Sequence, residues 1–194
     1  LIGKGNNGGD GLVVAHQLAQ NTEAQIRLYM LEPRTENDKN FLAIREDNLL
    51  VANAEDDHDG RVLKNMINSA DIIVDALFGI GLRLPLRDTS AKMLRTVKQL
   101  IQEKSPEYGE VLTVNATQPK QFINPPKPFV YAIDCPSGID CDTGEVDPNV
   151  IPADVTMTFI AGKLGLFTFP AAQYVGELII SQIGLPDTLS ELKA

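Results

Sequence analysis

Five glycines fall within the nine residues from Gly3 to Gly11 (GKGNNGGDG), just after Leu1-Ile2 and just before the apolar run Leu12-Val13-Val14-Ala15. Glycine tolerates positive φ and lets another backbone or a ligand come close. A glycine-crowded turn between the end of a strand and the start of a helix can aim N–H groups at an anion. Gly3, Gly5 and Gly8 match G-x-G-x-x-G, a weak motif alone, and the acid expected at the end of a second strand comes late, at Glu32. No Gly-Lys-Ser/Thr follows, so the turn is not a P-loop. The plain alternative is a tight bend, but Asn6, Asn7 and Asp10 make this turn unusually polar. Their amides and carboxylate suit ribose hydroxyls, an amide or a hard cation better than they suit a bend.

Downstream, strand and helix patterns alternate. Leu1-Ile2-Gly3 reads as the end of a strand, and Asp10 as the cap of a helix over residues 11–20. Residues 25–31 (QIRLYML) alternate as a strand, and residues 36–51 read as a helix. The acidic run 55–60 reads as a solvated loop rather than a metal site, because adjacent side chains in a loop seldom converge. A short helix follows over 62–69, then a buried strand over 71–77. A helix opens at Asp88 or Thr89, with Met93, Leu94, Val97, Leu100 and Ile101 at helical spacing. Residues 105–127, with four prolines, are irregular, with a short strand expected at 111–114. Further strands are expected over 129–133, 155–159 and 176–183.

This alternation implies a Rossmann-like three-layer α/β/α sandwich around a mostly parallel sheet, in one domain spanning residues 1–194. Right-handed crossovers place all strand C-termini on one edge, where such folds bind ligands. Three polar or glycine-rich loops fall there, at residues 3–10, 75–85 and 134–140. Asp75 ends a buried strand, where an ionised carboxylate is costly unless it is paired or binds a metal; capping nearby N–H groups is the plain alternative. Gly79 and Gly81 leave open backbone, and Arg83 is the nearest cation. Asp134 ends the central strand, placed for acid/base work, with Ser137 bringing a hydroxyl. His16 reads as a surface residue of the first helix, and His58 is not placed to act as a base.

Composition narrows the function. The formal net charge of −9 argues against nucleic-acid partners, whose affinity comes largely from Lys and Arg. No run approaches the roughly 18 apolar residues of a membrane helix, and no signal peptide is visible. Cys135 and Cys141 are expected to be free thiols in a reducing compartment, and a cytoplasmic location is expected.

The string from Gly3 to Ala15 (GKGNNGGDGLVVA) closely resembles the signature of the NAD(P)H-hydrate epimerase family, the YjeF N-terminal domain. VDALFGIG from Val74, AIDCPSGID from Ala132, ADVTMTF from Ala153, KLGL from Lys163 and VGEL from Val175 agree with it in order. The resemblance implies an isomerase of the epimerase class. NADH or NADPH hydrated at the nicotinamide ring exists as R and S epimers; the family interconverts them, so that a dehydratase specific for the S form can restore the cofactor. Residues Asn6, Asn7, Gly8, Gly9 and Asp10, with Gly79, Ile80, Gly81, Leu82, Arg83, Leu84 and Pro85, would hold the hydrated dinucleotide. Asn7, Asp75 and Ser137 would coordinate potassium. Asp134 would contact the nicotinamide part and is the expected acid/base. A dehydratase domain or protein as functional partner and a homodimer are also implied, as is the lack of the first helices that precede the glycine-rich loop in family members. Two other readings compete. A scaffold on the same fold has no reason to keep oxygen ligands on three loops. An ordinary dehydrogenase would want a well-placed ribose acid and a catalytic His or Tyr-x-x-x-Lys.

Overall fold

A computed structural model describes residues 1–104 and 128–184. Its strands are β1 (Arg27–Met30), β2 (Leu50–Asn53), β3 (Ile72–Asp75), β4 (Phe129–Ile133), β5 (Val155–Phe159) and β6 (Glu177–Ser181). β1 pairs with β2, and β3, β4, β5 and β6 pair in that order, all in parallel. Ile2 joins the two halves. Its N–H donates to the Tyr29 carbonyl at 2.9 Å, and its own carbonyl accepts from Leu31 at 2.9 Å. On the other side, Gly3 donates to Ala76 and Ala76 to Leu1, both at 3.0 Å. The sheet therefore runs β2-β1-Ile2-β3-β4-β5-β6, and the direction of winding reverses between Ile2 and β3.

Alternation along the strands feeds two cores. Leu28 and Met30 face one side with Ile2, Leu12 and Ala15 of α1 (Asn6–Asn21) and Ile44 of α2 (Lys39–Glu46). Tyr29 and Leu31 face the other, with Leu63, Met66 and Ile67 of α3 (Arg61–Asn68) and Met93, Leu94 and Val97 of α4 (Asp88–Lys104). This is the three-layer α/β/α arrangement that the sequence implies. A third cluster, including the free thiols of Cys135 and Cys141, fills the region under the loops. Burying one large aliphatic side chain is worth about 1.5–3 kcal/mol, so Leu12, Ile44, Leu94 and Val97, all wholly buried, are enough to clamp helices to both faces.

The structure departs from the sequence reading in three places. α1 begins at Asn6, five residues before the expected start, so Asp10 lies inside the helix rather than at its cap. The expected helix over 36–51 is the short α2 followed by β2. Asn48 in the left-handed region (φ 55) turns the chain out of the helix, as Asn can at a C-terminus. β2 is a half-exposed edge strand, so its apolar residues carry little period-2 signal. Third, the acidic run is not wholly solvated. Asp57 is buried and accepts from the N–H groups of Val62 (3.2 Å) and Leu63 (2.9 Å) and from the Tyr29 hydroxyl (3.2 Å). Residues 105–127, including the strand expected at 111–114, lie outside the described residues.

Burial pushes the Asp57 carboxyl up, but these hydrogen bonds outweigh it and hold the group below the usual carboxylate range. A folded value below the unfolded one means that its stabilisation is present at neutral pH and is lost as pH falls through the folded pKa. Asp57→Ala is expected to cost about 1–2 kcal/mol, the range for losing a helix N-terminal acceptor, in urea titrations at pH 7. The difference from wild type should shrink in acid.

Candidate functional site

The direction of winding reverses where the C-terminal ends of Ile2 and β3 lie side by side, and a cleft of about 1010 Å³ opens there. It takes in residues from the ends of Ile2, β3, β4 and β5. One wall is the first turn of α1. A Cβ on Gly8 would lie 1.8 Å from the Gly3 carbonyl oxygen, and one on Gly11 2.5 Å from the Ala76 Cβ. Glycine in a helix costs up to about 1 kcal/mol, and here it is what lets the helix seat against the sheet. Arg34 fastens the turn before it, its Nη1 donating to the Lys4 and Gly5 carbonyls while its Nε lies 2.9 Å from Asp38. Glu32 pairs with Lys4 at 3.0 Å.

Beneath the cleft, Asp75 and Ser137 are both wholly buried. Asp75 Oδ1 accepts from the Ser137 hydroxyl at 2.6 Å and from the Leu77 N–H at 3.3 Å, and Oδ2 accepts from the Ser137 N–H at 2.8 Å. The Ser137 Oγ in turn accepts from Phe78 at 3.2 Å. Burial pushes the Asp75 carboxyl up, against the pull of these donors. The pair thus ties the loop after β3 to the loop after β4.

Asp134 sits at the floor in the left-handed region (φ 68), its N–H donating to Met157 at 2.7 Å. A non-glycine residue held there marks local strain of the kind found at functional sites. Oδ2 accepts from the Ile80 N–H at 3.3 Å; Oδ1 receives the Lys163 ammonium at 2.6 Å and the Thr158 hydroxyl at 3.3 Å. Gly79 passes between Asn7 and Asp134, where a Cβ would be 2.9 Å from Asp134 Oδ2 and 3.4 Å from Asn7 Cβ. The Asn7 side chain is buried, yet neither its Oδ1 nor its Nδ2 has a hydrogen-bond partner among the described residues. Across the cleft, burial pushes the Asp10 carboxyl up, and the Asp134 charge pushes it the same way.

Residues 1–165 match the family described as YjeF-related protein N-terminus. The chain belongs to the YjeF N-terminal family. It is 33% identical over 186 residues to the NAD(P)H-hydrate epimerase of Clavibacter sepedonicus, covering 95% of this chain and 71% of that protein. It is 32% identical over 189 residues to the bifunctional NAD(P)H-hydrate repair enzyme Nnr of Coxiella burnetii, covering 96% of this chain and 32% of the relative. The chain thus spans about a third of the length of such bifunctional relatives. A crystal structure of the yeast protein ynu0 superposes with a TM-score of 0.69 at 19% identity, over 100% of this chain and 69% of that one.

In this YjeF N-terminal chain, the expected residues Asn6, Asn7, Asp10, Gly79, Ile80, Gly81, Leu82, Arg83, Pro85 and Asp134 all line the cleft. Gly8, Gly9 and Leu84 do not, and Asp75 and Ser137 lie below it. His16 is bound to Asp47 at 2.7 Å on the surface of α1, away from the cleft. The sequence reading missed the wall from Phe159 to Lys163. It also missed Thr158 and Arg34 behind the walls. The missing signal was available, since Lys163 follows a parallel strand whose C-terminal loop must reach the same edge. Asn7, Asp75 and Ser137 bring side-chain oxygens, the donor type of a hard cation; the Asn7 amide has no partner among the described residues, while the Asp75 and Ser137 oxygens are bonded to each other and to backbone N–H groups.

A buried polar group without partners costs about 1–3 kcal/mol. Asn7→Leu is therefore expected to stabilise the ligand-free chain by about that amount in denaturant titrations. Unchanged or lower stability would mean that the amide is paired in solution.

Proposed function

We propose that the chain interconverts the R and S epimers of hydrated NADH and NADPH. The observation that carries this reading is the Asp134 carboxylate, anchored through one oxygen by Lys163 and Thr158 while the other meets the cleft beside Gly79. The names of the Clavibacter and Coxiella relatives support the substrate.

The hydrated ring carries a hydroxyl on a carbon bonded to the ring nitrogen. Epimerisation needs that C–O bond to break, with the nitrogen lone pair forming a C=N bond and a proton leaving with the hydroxyl as water. Water then adds to the opposite face and gives up a proton. Two carboxyls in one cleft, in different environments, can divide that work. Asp134 would take the proton from the adding water. Asp10, exposed at the cleft but with its carboxyl pushed up by partial burial and by the Asp134 charge, would be the donor to the leaving hydroxyl. The N–H groups around Gly79 and Gly81, with Arg83, would hold the diphosphate, and Asn6 the ribose or amide. Potassium held by Asn7, Asp75 and Ser137 would supply a fixed positive charge beneath the dinucleotide. A dehydratase consuming the S epimer would be the functional partner.

The test is conversion of purified R-NADHX, resolved by chromatography, with and without potassium. A rate far above the spontaneous one is expected, falling about 10²-fold or more in Asp134→Asn and reduced without potassium. No acceleration by a folded chain would sink the proposal. Because Asp10 must carry its proton to donate it, activity is expected to decline as pH rises through its raised pKa. Asp10→Asn should remove that limb of the pH–rate profile.

A further inference from the structure

We infer that Lys163 is a positioning residue of this site: its ammonium, spent wholly on protein acceptors, holds Asp134 Oδ1, so that Oδ2 is the oxygen presented to the reacting ring. The inference rests on the epimerase reading and adds a residue to it.

An ammonium has three hydrogens and no acceptor capacity. Lys163 Nζ lies 2.6 Å from Asp134 Oδ1, 2.5 Å from Thr158 Oγ1 and 3.1 Å from the Phe159 carbonyl oxygen. Three donors thus meet three acceptors, with none left for a substrate. Thr158, wholly buried, passes its own hydrogen to Asp134 Oδ1 at 3.3 Å. The result is an asymmetric carboxylate. Oδ1 holds two side-chain donors; among the described residues Oδ2 has only the Ile80 N–H at 3.3 Å, and it faces Gly79.

Lys163 is itself held in place. Gly165 N–H donates to the Cys141 carbonyl at 2.8 Å, and a Cβ at Gly165 would come within 2.6 Å of the Asp140 and Cys141 carbonyl oxygens. The backbone around Lys163 is therefore pinned to the loop after β4, the same loop that carries Asp134. The lysine side chain is 14% exposed and the aspartate side chain 12%, so water competes little for the pair. Charge-assisted bonds of this kind are short and directional, and this one constrains a residue whose backbone is already in the left-handed region.

A double-mutant cycle with steady-state kinetics on R-NADHX tests the assignment, using Lys163→Met, Asp134→Asn and the pair together. Lys163→Met is expected to lower kcat about 10²-fold with KM little changed, and to have no further effect in the Asp134→Asn background, because both act through one carboxylate. Lys163→Arg should recover part of kcat. Multiplying losses, or a change in KM alone, would overturn the inference. A second readout does not depend on turnover: in a crystal structure of Lys163→Met, Asp134 Oδ2 should have turned from Gly79, and an unmoved carboxylate would overturn the assignment. If the wild-type protein proves inactive, the epimerase reading falls, and the Lys163 assignment is judged on that crystal structure alone.

Discussion

The first turn of α1 lies so close to the end of its own strand that no side chain fits between them. Gly8 meets the Gly3 carbonyl, and Gly11 meets Ala76 of the neighbouring strand. That approach brings the helix N-terminus down onto the sheet edge where the winding reverses, so Asn6, Asn7 and Asp10 become a wall of the cleft. The same edge receives Asp75 from β3, Asp134 from β4 and Lys163 from the loop after β5. Each polar group sits at a strand end because a parallel sheet sends every C-terminus there. Replace the close approach with an ordinary helix–sheet spacing, and the wall would stand clear of the floor.

The cleft is costly to stability. Asp75 and Ser137 are wholly buried, Asn7 is buried without partners among the described residues, and Asp134 carries a left-handed backbone. Ile160, another cleft-lining residue, also has positive φ (71), which is unusual for a β-branched side chain. Two hydrophobic cores, one on each face of the sheet, offset these costs. The loop after β3 is also braced from outside, where buried Asp147 accepts from the Leu86 N–H at 2.9 Å. Groups whose freedom is restricted in this way hold the geometry that a proton transfer needs.

Much of this was legible in the sequence because the signals were local. The glycine-crowded turn, the β-branched run ending at Asp75 and the strand ending at Asp134 each announce a strand end. Strand alternation then implies their convergence. What stayed hidden depends on tertiary context. The helical state of Asn6 to Asp10 was masked by glycines whose purpose is packing, and β2 by its exposure at the sheet edge. Asp57 looked like one acid among several, since nothing local says which of them meets Val62, Leu63 and Tyr29. Lys163 carries no local signal of its own in the sequence, although its position after β5 places it at the site. Its partners, Asp134 and Phe159, lie on two strand ends that only the assembled sheet brings together.

The hydrogen bonds at Ile2 also bear on the order in which the chain becomes a site. Leu1 to Gly3 precede the other strands of the sheet in the chain, yet their partners are Tyr29, Leu31 and Ala76. Asp75 then waits for Ser137, 62 residues later, and Asp134 for Lys163, a further 29 residues along from its own position. Contacts between distant segments form slowly, because chain closure must precede any gain. No nascent chain that stops short of Lys163 can hold the finished cleft. The glycine-rich turn is thus the earliest part of the site to be made and among the last to gain its neighbours, so a ligand captured there reports on a chain folded as far as Lys163.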